Sequence, residues 1–406
     1  MQRRWIAAAA TAAALGMTAP ARAAVDLGPG TSPRLAMDPN GTAHIVFSNH
    51  AGAVYCRLPR GARRCDVRVA MPLPDSSDPA YIVRRPSDGA LFVVQSSAPL
   101  PNDFTWVRVS VNDVATWSAP AVLGSGNGLL GLVDVQLSAD GGSLLTLMSD
   151  FGSGPKLQWG PLGGSQTRIF NVSQRPDGST DGTGNDHTRI AVLRDGRVLA
   201  VAETVTSRLL WRLFRGGDPY SQTAWQPFPA QRLPDGYSPQ VATGPRGTYV
   251  MTTRSPDAQL IHRRASFHVR ALQKGRLTRG RTFGGDVRIG GTNASEALFE
   301  DAAGRLHAAW TTTGGRDMCL VYARTTASRR SWFGPSTTLF VTHRESRPPD
   351  DVHIAATRDG RGIAVWQDSR FGTGKVLHVR ATTLRQRRGH ARFIRLPINR
   401  ADCPRG

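Results

Sequence analysis

Lysine is almost missing from these 406 residues: it occurs only at positions 156, 274 and 375, against forty-eight arginines. Long apolar runs are missing as well. After residue 24 no stretch reaches the ~18 apolar residues a membrane-spanning helix needs, so no transmembrane segment is expected. Nor do apolar residues recur there at helical spacing over three turns, which argues against helix-rich folds. The sequence has no CxxC, no HExxH, no Gly-rich phosphate loop opening a helix and no G-x-S-x-G elbow. These absences leave no motif for a zinc peptidase, a nucleotide hydrolase or an elbow serine hydrolase, and neither cofactor nor metal is expected. Cysteines are few, at 56, 65, 319 and 403. In an exported chain four cysteines imply two disulfides. Cys56 and Cys65 flank RLPRGARR and can face each other across a hairpin; that leaves Cys319 with Cys403.

Turn residues, by contrast, are abundant, with 43 glycines and 27 prolines. Pro33 to Ser48, PRLAMDPNGTAHIVFS, reads as strand, tight turn, strand: Pro presets φ, and Asn or Gly accepts a positive one. The same unit recurs at 80–96, 133–149, 188–204, 238–255, 295–311 and 352–368. Its turn glycines are Gly41, Gly89, Gly141, Gly196, Gly247, Gly304 and Gly360, separated by 48, 52, 55, 51, 57 and 56 residues. A period near fifty with one hairpin each is the signature of a propeller or array, since a lone hairpin cannot bury its apolar faces.

Two further strands follow each hairpin. The third is apolar with polar flanks, as in GAVYCRL (52–58) and RLLWRLF (208–214); the fourth is more polar, as in CDVRVAMPL (65–73) and HARFIRLPI (390–398). Polarity rising outward fits radial packing, where the last strand is an edge. The reading is all-β: a seven-bladed β-propeller of four antiparallel strands per blade over residues 24–398, with a C-terminal tail at 399–406. Residues 24–30 read as a short lead that could add to the last blade, although that blade counts four strands without them.

Residues 1–23 read as a signal peptide: Arg3-Arg4, an Ala-rich apolar stretch, then Ala21-Arg22-Ala23 before the cut. The expected location is secreted or periplasmic, and a monomer is expected. The formal charge of +21 favours anionic partners, such as an acidic glycan or cell-surface polymer. A GC-rich genome gives the same Ala-Arg-Gly bias. The arginines are spread through every repeat, which argues against a dedicated nucleic-acid patch.

Loops entering first strands and leaving second strands share one face, around the central channel. Polar residues there include Asp78, Asp134 and Asn293 on entry and Asp150 and Glu203 on exit; the site candidates are Asp186, His187, Arg189, Tyr237, Glu296, Asp351 and His353 on entry, and Arg254, Arg316, Asp317, Asp368 and Arg370 on exit. Arg254, Arg316 and Arg370 follow the second strands of three successive blades and read as an anion-binding crescent, although solvated loop ends carry charge anyway. Asp186-His187 could orient a histidine for proton transfer, or simply tie one blade to the next. Asp350-Asp351-Val-His353 supplies half a metal site with no second half.

Ser110-Val-Asn112-Asp-Val114-Ala-Thr116-Trp117 resembles a degenerate Asp-box, the S-x-D-x-G-x-T-W turn of bacterial neuraminidase repeats. Asn112 and Val114 replace the Asp and Gly. Ala224-Trp225-Gln-Pro and Ser331-Trp332-Phe-Gly-Pro keep the Trp and the Pro. In that family the box is structural, its Trp plugging the gap between sheets. The mature chain is thus similar to secreted propellers of the sialidase-like superfamily, whose sialidases usually have six blades. The resemblance implies three arginines clamping a carboxylate, a Tyr nucleophile and an acid/base Asp. The family's first arginine lies in F/Y-R-I-P; Ser32-Pro33-Arg34-Leu35 keeps only the Arg, and no motif fixes the others. Three readings follow: a non-catalytic propeller binding a glycan or other anionic surface ligand, a sialidase-like glycoside hydrolase, or a protein-interaction platform.

Overall fold

The computed structural model describes residues 24–73, 79–97, 103–110, 114–126, 130–150, 154–164, 168–174, 183–204, 208–226, 237–254, 264–288, 295–314, 317–325, 333, 336–343, 349–368 and 376–384. They form seven antiparallel sheets in chain order, the blades of a β-propeller. Blade 1 is the pattern: Thr31–Met37, Ala43–Asn49, Gly52–Leu58 and Val67–Pro72 pair in sequence. All seven turn glycines have positive φ, six of them between 69° and 92° and Gly247 at 153°. The residue before the glycine often holds the turn. Side-chain oxygens of Asn40, Asp88, Asp140, Asp195 and Asp359 accept the N–H two residues on, at 2.9–3.2 Å. That bond is the local reason the repeat favours Asp-Gly or Asn-Gly.

The apolar core is divided among seven clusters, one in each seam between neighbouring blades. The seam of blades 6 and 7, for instance, sets Leu320 and Tyr322 against Ile354 and Trp366. Second strands are buried on both faces, Ala43–Ser48 being wholly so, as inner strands must be.

Three blades depart from the expected layout. In blade 4 Thr183–Val192, Val198–Thr204 and Leu209–Leu213 pair, and among the described residues only the Phe214–Trp225 bridge marks a fourth strand. In blade 5 the third strand is Arg264–Gln273, and both a two-residue strand, Arg276–Leu277, and Arg281–Arg288 pair with it. The third departure is a correction. Blade 7 consists of Asp350–Ala356, Gly362–Asp368, His378–Leu384 and, outermost, the N-terminal strand Val25–Pro29. The segment read as a lead is the closing strand. It runs antiparallel to the third strand, with Val25 opposite Ala381 and Pro29 opposite His378. Charge reinforces the closure: His378 and Arg380 lie 3.1 and 3.9 Å from the Asp26 carboxylate. HARFIRLPI, expected in that position, lies outside the described residues, as do the signal and tail segments.

Cys56 and Cys65 are bonded, as expected. Cys319 is buried in the third strand of blade 6 and disulfide-bonded; Cys403 lies outside the described residues. Blades 1 and 6 also share a buried relay. Asp38 and Asp301 lie 3.1 and 2.9 Å from Nε2 of His44 and His307, whose Nδ1 atoms lie 2.7 Å from the hydroxyls of Tyr55 and Tyr322. Burial lowers both histidine pKa values; a neutral ring that donates to the aspartate leaves Nδ1 to accept the tyrosine proton. The blade 6 pair is wholly buried, whereas in blade 1 Asp38 keeps 25 % of its side chain exposed.

Candidate functional site

One face carries the starts of the first strands and the ends of the second; the turn glycines lie on the other. On the first face each blade is bonded to the next. Ala80 N–H donates to Ser48 (3.2 Å), the Tyr81 hydroxyl to the Val133 carbonyl (2.5 Å), and Ile190 N–H to Asp134 (2.9 Å). Ser238 N–H donates to Glu203 (3.0 Å), the Thr253 hydroxyl to Glu296 (2.7 Å), and Val352 N–H to Ser295 (2.6 Å). Ser32 N–H to Gln367 (2.7 Å) closes the circle from blade 7 to blade 1. This ring of seven bonds fixes the channel mouth.

The first strands do not enter the mouth straight. Register shifts fall between Thr31 and Arg34, Tyr237 and Gln240, and Asp350 and His353. Within them Ser32, Ser238 and Asp351, each nine residues before its turn glycine, adopt φ of 50°, 48° and 50°. A non-glycine residue in this region is strained, and a bulge re-aims the side chains that follow.

Seven residues before the turn glycine stand Arg34, Asp134, Arg189 and His353 in blades 1, 3, 4 and 7, in blades 1 and 7 two residues beyond the strained position. Arg34 donates to Asp351 at 2.7 Å and to the Tyr81 hydroxyl at 3.3 Å, its guanidinium 4.7 Å from the Tyr81 ring centre. Burial alone would lower the Arg34 pKa, but Asp351 outweighs it and the net shift is upward. Burial would raise Asp351, yet Arg34 and then His353 hold it well below the usual carboxylate range. His353, 3.5 Å from Asp351, is pushed down to about 4, by burial first and the Arg34 charge second. It is therefore a neutral imidazole at pH 7.

Glu296 shows the opposite behaviour. It is 3 % exposed, and burial pushes its carboxyl up to about 8 despite the Thr253 bond. Its Oε1 is buried without a partner among the described residues. Asp134, 8 % exposed, is also raised by burial, against the pull of Arg189.

Arg189 lies at the heart of this group. Its charge acts on Tyr81, Asp134, Glu296 and His353, from blades 2, 3, 6 and 7. A group of blade 4 that acts on four other blades lies within electrostatic reach of all four. Among the described residues its guanidinium bonds only to the Thr188 carbonyl (2.8 Å) and has no carboxylate at ion-pair distance. His187 nearby keeps 34 % exposure, with Nδ1 2.7 Å from Glu203.

Of the expected site residues, His187, Arg189, Glu296, Asp351 and His353 come together at the mouth. Asp368 is 2 % exposed and committed elsewhere: Arg380 Nε (2.6 Å) and the Trp366 indole N–H (3.0 Å) both donate to it. Asp186, Tyr237, Arg254 and Asp317 are placed only as strand positions. Arg316 and Arg370 lie outside the described residues, and the expected crescent with them. Asp134 was expected on this face but not among the site candidates, Arg34 was expected only as a match to the family's first arginine, and Tyr81 was not expected. The signal for two of them was their fixed distance before the turn glycine. Among the described residues no group of three or more His, Cys, Asp or Glu is arranged to hold a metal.

No family model matches the chain, and no curated protein matches it. Among solved structures it is similar to AofleA from Arthrobotrys oligospora, at 11 % identity and TM-score 0.47, over 79 % of this chain and 87 % of that one. It is similar to an alpha-L-arabinanase of Penicillium chrysogenum, at 14 % identity and TM-score 0.46, over 88 % and 97 %. It is also similar to the NanB sialidase of Streptococcus pneumoniae, at 10 % identity and TM-score 0.45, over 89 % and 69 %.

Proposed function

We propose that this protein is an exported propeller that binds an anionic ligand at its channel mouth, an acidic glycan or another carboxylate-bearing surface polymer. The supporting observation is Arg189: a guanidinium that acts on groups of four other blades and has no acidic partner among the described residues. A guanidinium fork suits a carboxylate. The neutral His353 offers a further hydrogen bond to a sugar hydroxyl. The Cys56–Cys65 disulfide suits an oxidising compartment. The test is binding to an acidic glycan array at several salt concentrations. The wild type should bind and lose affinity as salt rises; Arg189→Ala should abolish most of the binding and its salt dependence. Binding unchanged in Arg189→Ala refutes the proposal.

A second reading, hydrolysis, has one observation in its favour: a neutral Glu296 and an ionised Asp351 in one ring resemble an acid–base division of labour. Against it, Glu296 is only 3 % exposed and the Tyr81 hydroxyl is committed to Val133. Release of aryl alcohol from an aryl glycoside of an acidic sugar would establish the second reading.

A further inference from the structure

On the opposite face, a cavity of about 330 Å³ opens at the seam of blades 7 and 1. Its walls include Val25, Met37, Leu58, Ile363, Ala381 and Leu384, and its rim Arg60 and Arg361. The other seams explain why it is there. The connection between third and fourth strands repeatedly sends an apolar side chain against the preceding blade. In blade 2 this is Trp117, 5.0 Å from the Tyr55 ring of blade 1. In blade 4 it is Trp225, stacked on Phe170 of blade 3 at 5.0 Å and 7°. Blades 3 and 6 use Leu162 and Phe333. In blade 1 the same connection is the disulfide-closed loop, and it offers only Ala62 and the bonded Cys65 to the seam, neither of them aromatic.

Charge surrounds the opening. Arg361 is 77 % exposed and 3.7 Å from Asp359, which Arg60 engages more closely at 2.6 Å. Arg60 and Arg361 are the two arginines that line the cavity. The volume lies at the lower end for small-molecule sites.

We propose that this seam is a binding site for a small aromatic carboxylate, whose ring fills the space an indole fills in other seams and whose carboxylate meets Arg60 and Arg361. The site is separate from the channel mouth and independent of it.

The test is calorimetric titration of the full chain with indole-3-propionate, with neutral 3-methylindole as control. The wild type should bind the acid more tightly than the neutral ring. Ala62→Trp should abolish binding while raising the melting temperature, which shows that the variant is folded and the cavity filled. The double variant Arg60→Ala/Arg361→Ala should weaken the acid by roughly two- to five-fold, the worth of exposed charge pairs, and leave the neutral ring unchanged. Binding that survives Ala62→Trp, equal binding of acid and neutral ring, or no binding overturns the proposal. So does binding that appears only after removal of residues 385–406, since the chain's own end would then be the occupant.

Discussion

Replacing Glu296 by Gln removes an ionisable group while keeping its shape and the oxygen that accepts from Thr253. In the folded chain the carboxyl holds its proton to about pH 8, against an ordinary value of 4.5. Unfolded, it releases that proton near 4.5. Between these values the folded state binds more protons, so stability falls as pH rises. Each pH unit of displacement is worth about 1.4 kcal/mol, so the full window costs the wild type on the order of 5 kcal/mol. His353 and Asp351 act in the other direction. The imidazole is pushed down to about 4 from 6.5, so its neutral form is lost at a stability cost as pH falls from 6.5 toward 4. Asp351, held low by Arg34, adds stability that fades as acid protonates it. The wild-type curve therefore mixes opposing trends, and the difference between wild type and Glu296→Gln isolates one carboxyl. Urea unfolding from pH 5 to 8.5 should show nearly equal stability at pH 5 and a variant more stable by about 4–5 kcal/mol at pH 8. A gap that does not widen with pH refutes the assignment of a buried neutral acid.

Two further outcomes test the seams and the second disulfide. Trp225→Ala should cost about 3–5 kcal/mol in urea unfolding, because it empties the stack on Phe170 and the contact with Phe214; a loss below 1 kcal/mol would mean that the connection refills the gap. Non-reducing peptide mapping should recover a Cys319–Cys403 peptide alongside Cys56–Cys65; a free Cys403 thiol, or Cys319 joined to another chain, refutes that pairing.

The blades were legible because their information is local. An Asp-Gly or Asn-Gly turn specifies its own geometry through the bond seen at Asp88 and Asp195, and seven turns in register specify a ring. The closing strand was not legible. VDLGP and HARFIRLPI are both plausible edge strands, and the choice rests on long-range partners such as Asp26 for His378 and Arg380. The mouth was half legible. Counting back from the turn glycine finds Arg34, Asp134, Arg189 and His353, but not which of them are neutralised. Asp368 reads as a mouth residue in the sequence, and only the pairing of Trp366 with Arg380 across two strands reveals that its carboxylate is spent inside the blade.

The closing strand also sets an order of events. Val25 must find Ala381, so the first strand made must wait, with its edge unpaired, until nearly the whole chain exists. Loop-closure entropy rises slowly with length, but contacts of such separation slow folding. Six blades can assemble from neighbouring strands; the seventh requires both ends of the chain at once. The ring therefore latches in a late step, and a chain stopped short of blade 7 would leave Val25–Pro29 without its partner and its edge open to other chains.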